Sequence, residues 1–207
     1  MVFAPRAWPL EWVNRRGTPR NIVTVEAAVL AEHEPELFNA YVNESWPSTF
    51  LPAFEMVAAA NRVGGLRAAE NVDYALRLAF FRDGVDVSIR DGLEQSLAVA
   101  DGLGEDLDVQ SVMDEWLRGN PRADVAADYA ASTAVSIQGS PQVIWMDGTS
   151  SHNPGMTDHE WIDGVPVLGS VDIRAVEKTL LATSIDIGAG ESSQQRSSTP
   201  LGSADLI

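Results

Sequence analysis

Ile137-Gln-Gly-Ser-Pro-Gln-Val-Ile-Trp-Met-Asp-Gly148 is the stretch on which the fold prediction depends. Pro141 has no N–H to give to a sheet, so a proline at the first residue of a strand marks an edge, a turn or a cis bond. Residues 142–146 fit a short β-strand. Asp147-Gly148 is a type I′ hairpin signal that leads into residues 149–152. The stretch therefore predicts a proline-initiated β-hairpin.

Helical periodicity dominates the chain before this hairpin. Apolar residues recur at three- and four-residue spacing, and capping residues and glycines separate the runs. The first predicted helix begins at Ser48 and stops at Gly64-Gly65, and the second runs from Leu66 to near Asp83-Gly84. The third begins at a Ser88 cap and closes at Gly102. The fourth begins at an Asp108 cap and stops at Gly119, and the fifth covers residues 122–135.

The two ends of the chain have a different character. Residues 1–13 are apolar and aromatic with two prolines, which favours a short extended segment or edge strand over a helix. Residues 24–46 give only a possible helical turn near Glu26–His33. After the hairpin, Ser170 or Asp172 can cap a last helix. The Ser- and Gly-rich tail predicts disorder.

Helices in series followed by a hairpin predict an α/β fold with an inserted helical subdomain. The predicted divisions are 1–47 and 120–187 for the α/β part, 48–119 for the helical subdomain and 188–207 for the tail.

Composition excludes several classes of function. A formal net charge of −16 disfavours a nucleic-acid partner, because phosphate binding needs clustered Lys and Arg. The chain has no cysteine, and hence no disulfide, thiolate nucleophile or thiolate metal site. No run approaches the roughly 18 apolar residues needed to cross a bilayer. These features predict no membrane partner and a cytoplasmic protein.

Three stretches resemble the DsbA-like branch of the thioredoxin superfamily, which includes 2-hydroxychromene-2-carboxylate isomerases and kappa-class glutathione transferases. Phe3–Trp12 is similar to the family's second strand, Ala75–Ile89 to its helical insertion, and Ala126–Asp147 to the approach to its cis-proline. The resemblance implies a thioredoxin-like sheet with an all-helical insertion. It also implies a cis peptide between Ser140 and Pro141, and a family activity of thiol–disulfide oxidoreduction.

The resemblance assigns substrate binding to Ser140 and Pro141, whose main chain would pair with a thiol peptide or with glutathione. His152 and Trp12 are further candidates for the cleft. No cofactor is predicted, although the resemblance allows glutathione as a bound molecule. No metal site is predicted, because the acidic and histidine residues in and after the hairpin fit no ligand spacing: Asp147, His152, Asp158, His159 and Glu160.

The family's nucleophile, a Cys-x-x-Cys or a related Cys or Ser, lies on the helix between the first two strands. This chain begins at about the second strand, so we expect no catalytic residue within it. Either the start of the chain has been placed too late, or the protein is a remnant without redox activity. We also expect poor stability without a partner subunit, such as a second copy in a homodimer. Two alternatives remain open, namely a glutathione-dependent isomerase or transferase relative and a non-catalytic peptide-binding or scaffold protein.

Overall fold

The computed structural model describes residues 3–103, 107–145, 148–155, 159–163 and 165–169, together with Asp172, Arg174 and Glu177. The described part is mixed α and β and predominantly helical. Its helices are α1 (Leu10–Asn14), α2 (Arg20–His33), α3 (Leu51–Phe81), α4 (Arg90–Asp101), α5 (Val109–Arg118) and α6 (Pro121–Ser132). Its strands are β1 (Gln142–Ile144), β2 (Ser150–His152), β3 (His159–Ile162) and β4 (Val165–Leu168).

Helix α3 is the centre of the helical core, and α4, α5 and α6 all pack against it. Sequence periodicity predicts two helices separated at Gly64-Gly65. In the structure the backbone of Leu51–Phe81 leaves helical geometry at Gly65, where φ is 73° and ψ is −167°, so two helical segments meet there at a kink. Glycine adopts this backbone conformation without the steric cost that a Cβ would impose. The predicted division at this glycine pair is therefore confirmed, and the second helical segment follows the first directly.

The predicted limits of α5 are confirmed. Asp108 caps the helix and accepts a hydrogen bond from the Ser111 N–H at 2.9 Å. Gly119 ends it in the left-handed region, with φ of 77°. The prediction that Ser88 caps α4 is wrong, because Ile89 occupies the N-cap position and the Ser88 side chain makes no capping bond to the helix.

The prediction of an extended strand through Phe3–Trp12 is also wrong. Residues 3–9 are irregular and α1 follows directly. The main-chain N–H of Phe3 donates to the Glu70 carboxylate at 3.3 Å, and that of Ala7 donates to Asp128 at 3.0 Å. Acidic side chains on α3 and α6 thus supply the acceptors that a neighbouring strand would have supplied.

Helix α2 is longer than the single turn that the sequence predicts, and His33 is exposed in its last turn. The core includes Tyr41, which lies before the predicted boundary of the helical subdomain. Helix α6, beyond the other boundary, is tied to α3 by an ion pair between Arg122 and Glu55 at 3.2 Å. The helical unit therefore extends past 48–119 in both directions.

The chain divides into two units, residues 1–137 with 160–168 and residues 138–159 with 169–207. The described strands form two separate two-stranded sheets, β1–β2 and β3–β4. A single thioredoxin-like sheet stays a prediction. Apart from three single residues, the predicted last helix and tail lie outside the described residues. None of the described helices is long and apolar enough to cross a membrane.

Candidate functional site

The β1–β2 hairpin forms where the sequence predicts it. The strands are antiparallel, and Gln142 is opposite His152, Val143 opposite Ser151, and Ile144 opposite Ser150. The predicted two-residue turn at Asp147-Gly148 is wrong. The last pair is Trp145 with Thr149, joined by a hydrogen bond of 2.8 Å, so three residues connect the strands.

The glycine of this connection has a defined conformation. Gly148 has φ of 85°, and its N–H donates to the Trp145 carbonyl at 2.9 Å. A positive-φ glycine at the third position is typical of three-residue hairpin loops. The Asp147-Gly148 signal therefore predicts the position of the hairpin loop correctly and its length incorrectly.

Hydrogen-bonded and non-hydrogen-bonded pairs alternate along an antiparallel ladder. The Asn153 N–H donates to the Pro141 carbonyl at 3.0 Å, and Trp145 bonds to Thr149. The main-chain groups at positions 141, 143 and 145 therefore face β2. Those of Gln142 and Ile144 face the opposite, outer edge of β1, and no other described strand pairs with that edge.

Ser140 and Pro141 lie directly before β1, and the peptide bond between them is cis, as the resemblance implies. Both residues are exposed. Ser140 precedes the cis bond and is not part of the β1 ladder, whose pairing begins at Gln142. Two of the predicted binding residues thus directly precede a strand with whose outer edge no described strand pairs. Their role in binding stays a prediction.

His152 also lies at this end of the hairpin. Its imidazole packs on Gly139, and Nε2 is 2.5 Å from the point that a Cβ on this glycine would occupy. A side chain at position 139 would therefore displace the imidazole. Because opposite residues share a face, the half-buried His152 side chain is on the same side of the hairpin as Ile144, which is 55 % exposed.

The other face of the hairpin is packed. The Trp145 side chain is buried, and its Nε1–H donates to Ser151 Oγ at 3.1 Å. This cross-strand bond fixes the indole on the interior side. On the opposite face, the Ile144 side chain is exposed.

Trp12, the other cleft candidate, belongs to the other unit. Its half-buried ring packs edge-to-face on Tyr129, with centroids 5.3 Å apart and an interplanar angle of 74°. This contact joins α1 to α6. The structure thus gives Trp12 a packing role within the helical unit.

The hairpin offers little acid–base or metal chemistry. Its described residues, 138–145 and 148–155, include no Lys, Arg, Asp or Glu, and His152 is their one titratable side chain. Asp147 and Asp158 lie outside the described residues, as does the side chain of His159. In the part of the chain that the structure describes, no group of three or more His, Asp or Glu could hold a metal ion.

A second polar cluster, which the sequence did not predict, lies in the helical unit around Asp86. This carboxylate is 6 % exposed and accepts hydrogen bonds from Ser45 Oγ at 2.5 Å and from the Ser88 N–H and Oγ at 2.9 and 2.5 Å. Burial alone would raise the pKa of Asp86. The three hydrogen bonds outweigh that effect and hold the pKa below its ordinary value.

The Asp86 cluster is structural. Burial, then the nearby Asp86 charge, raises the pKa of Tyr41, so its phenol stays neutral and donates to the Ser45 carbonyl at 2.9 Å. Among the described residues, no histidine is hydrogen-bonded to either serine to act as a base. The cluster ties the segment before α3 to the loop between α3 and α4.

A scan against protein-family models finds no matching family, and a search of curated proteins finds no matching sequence.

Proposed function

We propose that the chain is a peptide-binding protein related to the DsbA-like thioredoxin family, and that the outer edge of β1 accepts an extended peptide as an additional strand. One observation carries the proposal. The ladder register leaves the main-chain N–H and C=O groups of Gln142 and Ile144 facing outward, without a strand partner among the described residues. Such an edge is a template for β-augmentation.

Binding fits the side chains better than catalysis does. Thiol–disulfide exchange requires a thiolate, and the 207-residue chain has no cysteine. His152 alone could transfer a proton among the described hairpin residues, and no nucleophile is hydrogen-bonded to it. The family relationship is supported by the helical run and the proline-initiated hairpin. A cytoplasmic location and a homodimer stay predictions.

The proposal is tested with a fluorescein-labelled octapeptide of alternating Thr and Val. The matched probe is the same peptide N-methylated on alternate residues, which removes the donors on one edge. We expect fluorescence anisotropy to show binding of the first peptide and at least about tenfold weaker binding of the second, since each lost hydrogen bond costs about 0.5–1.5 kcal/mol. Reduced glutathione, added as a competitor, tests whether a tripeptide occupies the same edge.

Two variants locate the binding site. Ile144→Pro removes an outward N–H without removing a bond to β2, so it should weaken binding at least about tenfold and leave the melting temperature unchanged. Ile144→Thr keeps the N–H and the β-branched shape and should bind within a few-fold of wild type. Equal affinity for the two peptides, or full binding by Ile144→Pro, would show that the edge is not the site.

A further inference from the structure

We infer that a second copy of the chain docks on the outer face of α2 and forms an antiparallel, two-fold symmetric dimer. The outer face consists of the exposed residues Asn21, Ile22, Val25, Ala28 and Glu32, whose three- and four-residue spacing places them on one side of the helix. It belongs to the unit that holds the helices, whereas the β1 edge belongs to the other unit. The inference is therefore independent of the proposed function.

The outer face of α2 lacks the charged side chains of a solvated helix surface. Charged and polar residues normally occupy the side of a surface helix that points away from the core. The inner side of α2 is buried at Ala27, which is 2 % exposed, yet three of the five outer-face residues are also apolar. Glu26 is the one charged residue in positions 21–31, and it is half-buried. The composition of α2 is thus that of a helix covered on both sides.

A neighbouring strand adds to the apolar surface. Strand β4 packs against α2 within the same unit. Its Val165 and Val167 are 47 % and 43 % exposed, whereas Pro166 between them is buried. The helix and the strand therefore both present β-branched side chains to solvent. Exposed apolar surface that spans adjacent elements marks a protein–protein contact.

The charges at the two ends of α2 identify the partner as a second copy. Arg15 and Arg16 lie just before the helix, and Glu32, Glu34 and Glu36 lie in and after its last turn. All five are exposed, and none of their side chains forms an ion pair or a hydrogen bond with another described residue. Two antiparallel copies of α2 place the basic start of each helix beside the acidic end of the other. A two-fold axis makes these two contacts identical.

The helix macrodipole favours the same arrangement. Negative charge stabilises the start of a helix and positive charge its end, but α2 has Arg20 at its start and Glu32 in its last turn. The N-cap residue is Pro19, so the first turn has no side-chain cap. In the antiparallel pair, the Glu32 carboxylate of each copy comes near the uncapped N–H groups of the other. A charge distribution that is unfavourable within one helix is therefore favourable in the pair.

Sedimentation velocity of the full-length chain tests the interface. We expect the wild type to sediment as a dimer. Val25→Arg places a charge at the centre of the outer face and should raise the dimer dissociation constant at least about tenfold. Val99→Arg is the matched control, because Val25 and Val99 are each 36 % exposed in a helix, and it should change the constant less than about twofold. Circular dichroism at 222 nm shows whether both variants keep the wild-type helix content.

Charge reversal tests the antiparallel pairing. One variant combines Arg15→Glu with Arg16→Glu, and the other combines Glu32→Arg with Glu34→Arg. Each variant alone brings like charges together at both ends of the pair, so each should dimerise at least about tenfold more weakly than the wild type. An equimolar mixture restores opposite charges at both ends and should form a heterodimer with an affinity within about threefold of the wild-type value.

Each outcome supports or overturns the inference. A monomeric wild type, or a dimer that Val25→Arg leaves intact, would refute the outer face of α2 as the interface. A mixture that dimerises no better than its two components would overturn the antiparallel pairing. Loss of the dimer in Val25→Arg, together with recovery in the mixture, would establish both the face and the orientation.

Discussion

Replacement of Gly92 by alanine is expected to destabilise the helical unit. Gly92 is buried in the first turn of α4, and a Cβ at this position would lie 2.0 Å from the Asp86 carbonyl oxygen and 2.9 Å from its carbonyl carbon. The third neighbour is Val85 Cγ1, at 3.1 Å. Contacts this short require the backbone to move, because both Asp86 atoms belong to the main chain and not to a flexible side chain.

The size of the effect follows from two opposing contributions. Overpacking a well-packed site costs about 1–3 kcal/mol, and a main-chain overlap places Gly92→Ala at the upper end of that range or above it. Alanine recovers about 1 kcal/mol of helix propensity relative to glycine. The net loss is therefore about 2 kcal/mol, which lowers the melting temperature of a chain of this size by about 4–8 °C.

The assay is thermal and urea unfolding followed by circular dichroism at 222 nm. Gly102→Ala is the matched control, because Gly102 is exposed at the end of the same helix with φ of −73°, and its added Cβ would meet only the Val99 carbonyl, at 3.4 Å. This control should be neutral or slightly stabilising. A Gly92→Ala protein that melts at or above the wild-type temperature would refute the packing argument.

Two more predictions concern the helical unit. Because the folded-state pKa of Asp86 lies below the unfolded-state value, its stabilisation is fully present above the unfolded-state pKa and is lost as the pH falls through the folded-state value. Asp86→Asn should lower the free energy of unfolding at pH 7 by about 1–3 kcal/mol, as measured by urea unfolding. When the pH falls below about 4, the variant should lose less of its remaining stability than the wild type does. An acid profile identical to that of the wild type would contradict this. Phe80→Ala should lower the free energy of unfolding by about 3–5 kcal/mol in the same assay, because Phe80 is 5 % exposed and packs against four aromatic rings. Leu117→Ala is the control and should cost less than about 0.5 kcal/mol, because the Leu117 side chain is 54 % exposed. Equal losses for these two variants would contradict the assigned core.

Local signals predicted the helical part well. Asp108 and Gly119 fix the ends of α5 through contacts within a few residues, so sequence spacing is sufficient to find them. Ser88 shows the limit of such reasoning. Its hydroxyl could have capped α4, but it bonds to Asp86, which Ser45 also reaches from 41 residues away. The Ser88 bond is local, but the Ser45 bond to the same carboxylate is long-range and leaves no periodic trace in the sequence.

The prediction of a strand in the N-terminal segment was wrong for a related reason. Prolines and aromatic residues correctly disfavour a helix through residues 3–9, but they do not say where the main-chain donors go. The acceptors are Glu70 and Asp128, on two different helices. An apolar composition is shared by a strand and by an irregular segment held by side chains, so composition could not separate them.

The candidate site depends on the register of the β1–β2 pair, because the register decides which main-chain groups of β1 face outward. Proline commonly protects an edge strand when its nitrogen faces outward, where it blocks pairing with another chain. Here the Pro141 carbonyl accepts from Asn153, so the position of its missing N–H faces β2. The proline removes a bond from inside the hairpin and leaves the outward donors of Gln142 and Ile144 intact. A shift of one residue would reverse this arrangement, placing the proline on the outer edge and turning Ile144 to the opposite face. The observed register is therefore the one of the two that keeps the proline off the outer edge of β1.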